Sequence, residues 1–345
     1  MLDSGTDFRL YGRVGEDINN TVDADSQLYY AFFEKQEALT NLDLKLGRHF
    51  VTSSAGASIV DGISLKYKNL GPMTFSLFGG GDVEYYSGYD AQDVIWGAET
   101  EGKFLNDDLD LGLSYIQKWN EGRLAGEIIG GEFDYELQKM LNLYGEAQFN
   151  YLADTFSYYL GGFNYYRDPR WSWRAEYLYS LPVFEATSIY SVFAVNAYKE
   201  AMTEVLYRIN NKGLRSFARY TMEFYKEFDD AYIGELGFEK IRYDRFAGYL
   251  SFLYRKDDSG QDMEGVKAHA SYRFVNSLIL GVGAHVDVLE RRLEDNDDET
   301  TSQRYWVDST LPLRDNVDVQ AKVEGIKSDL YSEYFRGRVR LNIRF

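Results

Sequence analysis

The stretch F-R-G-R-V-R-L-N-I-R-F, residues 335–345, decides the fold. Side chains of a β-strand point alternately to its two faces, so the odd-numbered positions share one face and the even-numbered positions share the other. The odd face carries Phe, Gly, Val, Leu, Ile and Phe, whereas the even face carries four arginines and one asparagine. This alternation predicts a strand with one face in apolar surroundings and the other in water.

Composition narrows the class of protein. The 345 residues include 30 Tyr, 22 Phe and 5 Trp but no Cys, and the net charge is -18. Aromatic rings accumulate where a transmembrane barrel meets the two membrane surfaces, and a negative chain is repelled by nucleic acid. The negative charge leads us to expect no nucleic-acid partner. Without cysteine there are no thiolate metal sites, no thiol catalysis and no covalent attachment of c-type haem, so we expect no cofactor.

The same alternation recurs along the chain, for example in residues 42–51, 109–119, 171–181 and 277–290. We count about twenty such segments, within a range of roughly 16 to 22, and each alternates with a period of two. A soluble β-sandwich also alternates, but its exposed face rarely needs aromatic residues at both strand ends. Because no linker or composition break separates the segments, we predict a single domain over residues 1–345.

Two parts of the sequence resemble bacterial outer-membrane proteins. The terminal Phe345 resembles the closing residue of outer-membrane β-barrels, where it belongs to the signal for the insertion machinery. L-D-L-K-L-G-R-H-F-V, residues 42–51, and V-D-G-I-S-L-K-Y, residues 60–67, with the short loop between them, resemble a stretch of bacterial porins. The matching positions are Gly47, Arg48, Asp61 and Gly62.

This resemblance implies an all-β, transmembrane, antiparallel up-and-down β-barrel in the outer membrane of a Gram-negative bacterium. It implies contact with outer-membrane lipid and lipopolysaccharide, and recognition of Phe345 by the barrel-assembly machinery. Barrels of this kind pair short periplasmic turns with longer outer loops. Every second connection of the chain is short and several contain turn residues, as in N-L-G-P, residues 69–72. We therefore expect both termini to be periplasmic.

A barrel this wide cannot be filled by its own side chains, so it should enclose a water-filled lumen. Strand parity predicts two charged sets that line it. The basic set is Arg9, Arg13, Arg215, Arg219, Arg245, Arg336, Arg338, Arg340 and Arg344, and the acidic set is Glu99, Glu101, Glu132, Asp134 and Glu146. A basic wall facing an acidic wall would favour small anions or zwitterions along the arginines. These charges could instead only pair with each other and hydrate the wall.

A pore of this width usually needs narrowing, and the longest outer connection, residues 182–200, is unusually apolar for a loop. Its residues Ile189, Phe193 and Asn196 fall near helical spacing, and Tyr190 adds a ring beside them. We predict that this loop folds into the lumen as a constriction. A surface cap or a contact between copies in a homo-oligomer is the other interpretation.

The predicted function is that of a porin for passive diffusion of small hydrophilic solutes. The alternative is a porin-like sheath of a porin–cytochrome conduit, which would encase a multihaem c-type cytochrome for transmembrane electron transfer. The histidines His49, His269 and His285 are scattered and lack the spacing of a metal site, and no catalytic triad can be argued from residue order. We therefore predict neither a metal site nor an enzyme.

Overall fold

The computed structural model describes residues 5–13, 27–83, 92–182, 196–226, 229–257, 262–275, 277–293, 296–314, 316–328 and 331–343. All regular secondary structure within these ranges is β-strand. In the same ranges, no helix is long and apolar enough to cross a membrane.

Twenty strands follow one another along the chain. They are β1 (Thr6–Arg13), β2 (Gln27–Leu39), β3 (Leu42–Ser53), β4 (Gly56–Leu70), β5 (Met73–Asp82), β6 (Val94–Phe104), β7 (Leu109–Asn120), β8 (Arg123–Leu137), β9 (Leu141–Asn150), β10 (Thr155–Asp168), β11 (Trp171–Ser180), β12 (Tyr198–Arg208), β13 (Leu214–Phe224), β14 (Ala231–Lys240), β15 (Phe246–Asp257), β16 (Met263–Arg273), β17 (Ile279–Leu293), β18 (Asn296–Arg314), β19 (Val317–Ser328) and β20 (Tyr331–Ile343). Strands that are consecutive in sequence pair in antiparallel fashion from β1 to β9 and from β12 to β20.

The strands belong to two compact units. Unit 1 comprises residues 1–162 and 178–197, and unit 2 comprises residues 163–177 and 198–345. The chain passes between the units within β10, within β11 and at the start of β12. A single domain over residues 1–345 stays a prediction.

Each strand has an apolar face and a polar face, and in unit 2 the apolar face is open. Val282, Val307 and Val323 lie directly opposite one another on β17, β18 and β19, and they are 57%, 56% and 60% exposed. Unit 1 shows the same pattern, with Leu77 and Leu113 well exposed. A soluble protein rarely exposes so much contiguous apolar surface, whereas a lipid-facing barrel strand requires it.

Every second connection is a tight turn, as predicted. Those that follow β2, β4, β6, β8, β10, β12, β14, β16 and β18 contain two to five residues. Asn41 and Gly71 in these turns, and Asn69 at the end of β4, have positive φ angles of 63°, 63° and 64°, a conformation that Asn and Gly adopt at low cost. The prediction that these turns and both termini are periplasmic stays a prediction.

One predicted loop is wrong. The sequence places a connection at residues 52–60, but β3 and β4 continue to a two-residue turn at 54–55. The segment T-S-S-A-G-A-S, residues 52–58, is small and polar on both faces, so it has no alternation to indicate a strand. Apolar and polar side chains alternate only where one face of a strand lies in an apolar layer, so a strand end outside that layer does not show the pattern.

Candidate functional site

A buried carboxylate gathers three cations on the polar face of β18, β19 and β20. Glu324 is only 3% exposed. It accepts hydrogen bonds from Arg304 Nε and Nη2 at 3.1 and 2.6 Å and from Arg336 Nε at 2.6 Å, and Lys322 Nζ lies 2.8 Å away. We call Arg304, Lys322, Arg336 and Glu324 the cation cluster. Since one carboxylate holds three positive groups, the cluster itself is positive.

Aromatic rings support this cluster. Arg304 Cζ and Lys322 Nζ lie 5.8 and 5.0 Å from the centroid of the Trp306 ring, within the range of cation–π attraction. The His269 ring stacks on Trp306 with centroids 6.0 Å apart and planes 11° apart. The indole needs a glycine beneath it, because a Cβ on Gly283 would come within 2.1 Å of the Trp306 ring. The result is a flat ring surface beside fixed cations.

Two further arginines extend the positive surface along β20. Arg338 lies opposite Lys322 and Arg340 lies opposite Gln320, and both side chains are exposed. Within the described residues neither arginine has an ion-pair partner. Among the side chains that the structure describes, the polar face of β18–β20 therefore carries five cations, against the carboxylates of Asp308, Asp318 and Glu324.

Two of the other predicted basic residues of unit 2, Arg215 and Arg219, are paired. Arg215 Nη2 lies 2.7 Å from Glu239, and Arg219 lies 2.6 Å from Glu204 and 3.2 Å from Glu235. These pairs match the interpretation in which such charges only hydrate and brace the wall. Arg245 lies in the turn between β14 and β15 rather than in a strand.

In unit 1, Arg9 Nη2 lies 3.2 Å from Asp7 and 3.8 Å from Glu34. The side chain of Arg13, all of Arg344 and the terminal Phe345 lie outside the described residues. Whether any of these residues lines a pore stays a prediction.

The predicted acidic residues share the polar face of β6–β9. Glu101 and Glu132 both lie opposite Gly112, and Glu132 lies opposite Glu146, so the three form a row across the four strands. The remaining two occupy neighbouring positions of the same face: Glu99 is opposite Ser114, and Asp134 accepts a hydrogen bond from Asn142 Nδ2 at 2.5 Å. The strand register places these five carboxylates on one face of the sheet, and that they line a pore stays a prediction.

The predicted constriction lies largely outside the described residues. Ile189, Tyr190 and Phe193 belong to the undescribed range 183–195, and Asn196 is a half-buried residue just before β12. A different segment covers the polar face of unit 1. The turn at 54–55 packs against Ser114 on β7, which no sequence pattern indicated.

The histidines make contacts within the wall. His49 is buried and lies 2.7 Å from the carbonyl oxygen of Gly47 and 2.5 Å from Ser64 Oγ. His269 Nε2 lies 3.0 Å from Asp308 Oδ1. No group of three or more potential metal ligands gathers in the described part of the chain.

No protein-family model matches the chain, and no curated protein matches it significantly. Solved structures of Pseudomonas aeruginosa outer-membrane porins do match. OccK3 (OpdO) is 13% identical with a TM-score of 0.54, and the match covers 88% of this chain and 93% of that one. OpdQ is 13% identical with a TM-score of 0.53, and the match covers 87% of this chain and 95% of that one. OpdK, determined with vanillate, is 11% identical with a TM-score of 0.53, and the match covers 88% of this chain and 97% of that one.

At these identities the likeness establishes the fold and nothing finer. The predicted resemblance to porins is confirmed at that level, and with it the all-β, antiparallel, twenty-stranded architecture. The chain has the β-barrel fold of the bacterial outer-membrane porins, and the outer membrane is where that fold resides.

Proposed function

We propose that the protein is an outer-membrane channel through which small hydrophilic solutes diffuse passively, with a preference for anions or zwitterions. One observation carries the preference: Arg338 and Arg340 lie exposed beside the cation cluster, without ion-pair partners among the described residues. Guanidinium groups bind carboxylates in a planar, two-point geometry, and fixed charges along a pore select the ions that pass.

The ring surface of Trp306 supports solutes that combine a negative group with an apolar part. A carboxylate held by Arg338 would lie near a flat ring on which the rest of the solute can pack. The structure of OpdK was determined with vanillate, an aromatic carboxylate. This likeness of fold motivates aromatic acids as the first solutes to test.

In this proposal solutes pass through the protein without a catalysed reaction. The solved structures that resemble the chain are porins rather than enzymes. No observation favours the alternative of a sheath around a multihaem cytochrome. Contacts with lipopolysaccharide, recognition of Phe345 by the assembly machinery and a homo-oligomeric state belong to the proposal as further parts to be tested.

Recordings in planar lipid bilayers test the proposal. We expect the wild-type protein to form ohmic channels whose reversal potential in a salt gradient indicates anion preference. The variant Arg338→Glu/Arg340→Glu should shift that potential towards cation preference. A matched control, Lys139→Glu/Lys212→Glu, makes the same change in net charge within two tight turns and should leave the potential unchanged.

Purified, folded protein without conductance would overturn the channel itself. A reversal potential that is identical in the wild type and the double-arginine variant would overturn the role of the arginines alone.

A further inference from the structure

The end of the β3–β4 hairpin leaves the sheet. The ladder of β2 with β3 ends at Ala31 and Arg48, and that of β4 with β5 ends at Val60 and Asp82, followed by one hydrogen bond from the Val83 amide to the Ile59 carbonyl. Beyond those points β3 and β4 continue to pair with each other as far as Ser53 and Gly56. Residues 51–58, which we call the hairpin tip, therefore form a two-stranded ribbon that is free to bend away from its neighbours.

The tip bends over the polar face of unit 1. Ser54 Oγ lies 2.8 Å from Ser114 Oγ, and the amide of Ala55 donates a hydrogen bond to Ser114 Oγ at 2.7 Å. Ser114 belongs to β7, so the ribbon crosses β5 and β6 to reach it. The turn rests directly on β8, because a Cβ on Gly130 would come within 2.1 Å of the Ala55 amide nitrogen.

The surface under the tip is apolar, although it belongs to the polar face. Ala55 and Val60 pack with residues that the strand register places on that face, and this cluster is buried. Those wall residues are Phe78 on β5, Ile95 on β6, Ile116 on β7 and Ile128 on β8. Apolar residues facing water would be unfavourable, so their position in four successive strands indicates a partner that stays in place.

The base of the hairpin tip, which we call the neck, consists of Gly47, Arg48, Asp61 and Gly62 and has a backbone that permits the bend. Gly47 has φ +114°, and a Cβ there would come within 2.5 Å of the carbonyl oxygen of Ala31. Arg48 and Asp61 join the two strands through paired hydrogen bonds of 2.7 and 2.6 Å. Gly62 must also be a glycine, because a Cβ there would come within 2.1 Å of a neighbouring backbone oxygen. These are the four positions at which the sequence resembles porins.

We propose that the hairpin tip is a fixed constriction of the pore, held in place by Ser114 and Gly130 as positioning residues. This inference rests on the proposed channel function. The tip narrows the lumen next to Glu99, which lies opposite Ser114, and thereby brings passing solutes close to the carboxylates of β6–β9. It is a permanent part of the wall rather than a gate, since Ala55 is fully buried and both turn residues, Ser54 and Ala55, are hydrogen-bonded to Ser114.

A disulfide tests the position of the tip, and the absence of native cysteine makes the result unambiguous. We expect Ser54→Cys/Ser114→Cys to oxidise readily in the folded protein and to leave the single-channel conductance unchanged, because the bond joins groups already in contact. Ser54→Cys/Asn142→Cys is the control. Asn142 lies six residues along β9 from Gln148, which is opposite Gly130, so this pair is about 20 Å apart and should stay reduced.

A second variant tests the narrowing. Gly130→Val places a side chain where the turn rests and should displace the tip, raising the conductance roughly twofold because current follows the open cross-section. Gly131→Val is the matched control, because a Cβ at that position would have no neighbour closer than 3.9 Å. It should conduct like the wild type.

The outcomes separate this inference from the proposed function. A wild type that does not conduct overturns the channel and the constriction together, even if the disulfide forms. A conducting wild type whose double-cysteine variant stays reduced, or loses current on oxidation, overturns the fixed tip alone. Gly130→Val with wild-type conductance overturns the narrowing, and if that variant does not fold, the disulfide result decides.

Discussion

Glu324 fixes the geometry of the basic surface with a single carboxylate. Three cations converge on it, and Trp306 lies directly opposite it on β18. Arginine and lysine side chains lose considerable conformational freedom when they are held in one place, and shared hydrogen bonds to one acid compensate for that loss. Glu324 therefore contributes more by holding the three cations in place than through its own negative charge.

Replacing Glu324 by glutamine distinguishes its role in positioning the cations from the effect of its negative charge. Glu324→Gln makes the net charge more positive by one unit. It also removes one of the two carboxylate oxygens, of which one accepts hydrogen bonds from Arg304 and the other from Arg336. We expect the free energy of unfolding in urea to fall by about 1–3 kcal/mol, and the anion preference not to rise. Asp318→Asn makes the same chemical change at an acid that accepts hydrogen bonds from the amide groups of Gln320 and Asn342, and it should cost less. Equal stability of Glu324→Gln and the wild type would contradict this role.

Gly283 gives a second prediction at the residue scale. Gly283→Ala adds a methyl group where the Trp306 ring lies, so the ring must move and its stacking on His269 is lost. We expect a shift in tryptophan emission and a loss of about 1–3 kcal/mol in unfolding free energy. Gly337→Ala is the control, because nothing lies within 4 Å of a Cβ at that position. If both variants behave alike, the ring is not where we place it.

The β3–β4 hairpin shows how far the sequence can predict an element. Alternation predicted both strands correctly as far as the residues that pair with their neighbours, and it failed at the tip, where both faces are small and polar. The register of β8 with β7 is continuous at Gly130 and Gly131, and its irregularity follows Lys118. Gly130 is a glycine because a distant turn rests on it, which a local pattern cannot reveal.

The neck of the hairpin can be tested by a double-mutant cycle. Arg48 and Asp61 make two parallel hydrogen bonds and are each only about a quarter exposed, at 22% and 27%. We expect Arg48→Ala and Asp61→Ala to show a coupling energy of about 1 kcal/mol in urea unfolding. The more exposed pair of Lys103 and Asp110, 3.6 Å apart, should show almost none. The same coupling at both sites would mean that the neck pair has no special role.

At the scale of the whole molecule, the fold was predictable because a lipid-facing barrel imposes one rule on every strand. An apolar face, a polar face and a tight turn after every second strand are all visible in sequence. The partners of the charged residues were not predictable. Parity places Arg219 on a face, but only the register of three strands brings it between Glu204 and Glu235. Arg338 is also an arginine on the polar face of its strand, yet it has no such partner in the described part of the chain.

Cysteine modification can show whether the polar face of β20 lines the path of permeating solutes. Arg338→Cys should lose current in a planar bilayer when a membrane-impermeant, negatively charged thiol reagent is added. Val339→Cys, the next residue along the strand and 75% exposed on the apolar face, should not respond. Current that is unchanged by the reagent in Arg338→Cys, or reduced equally in both variants, would contradict the account.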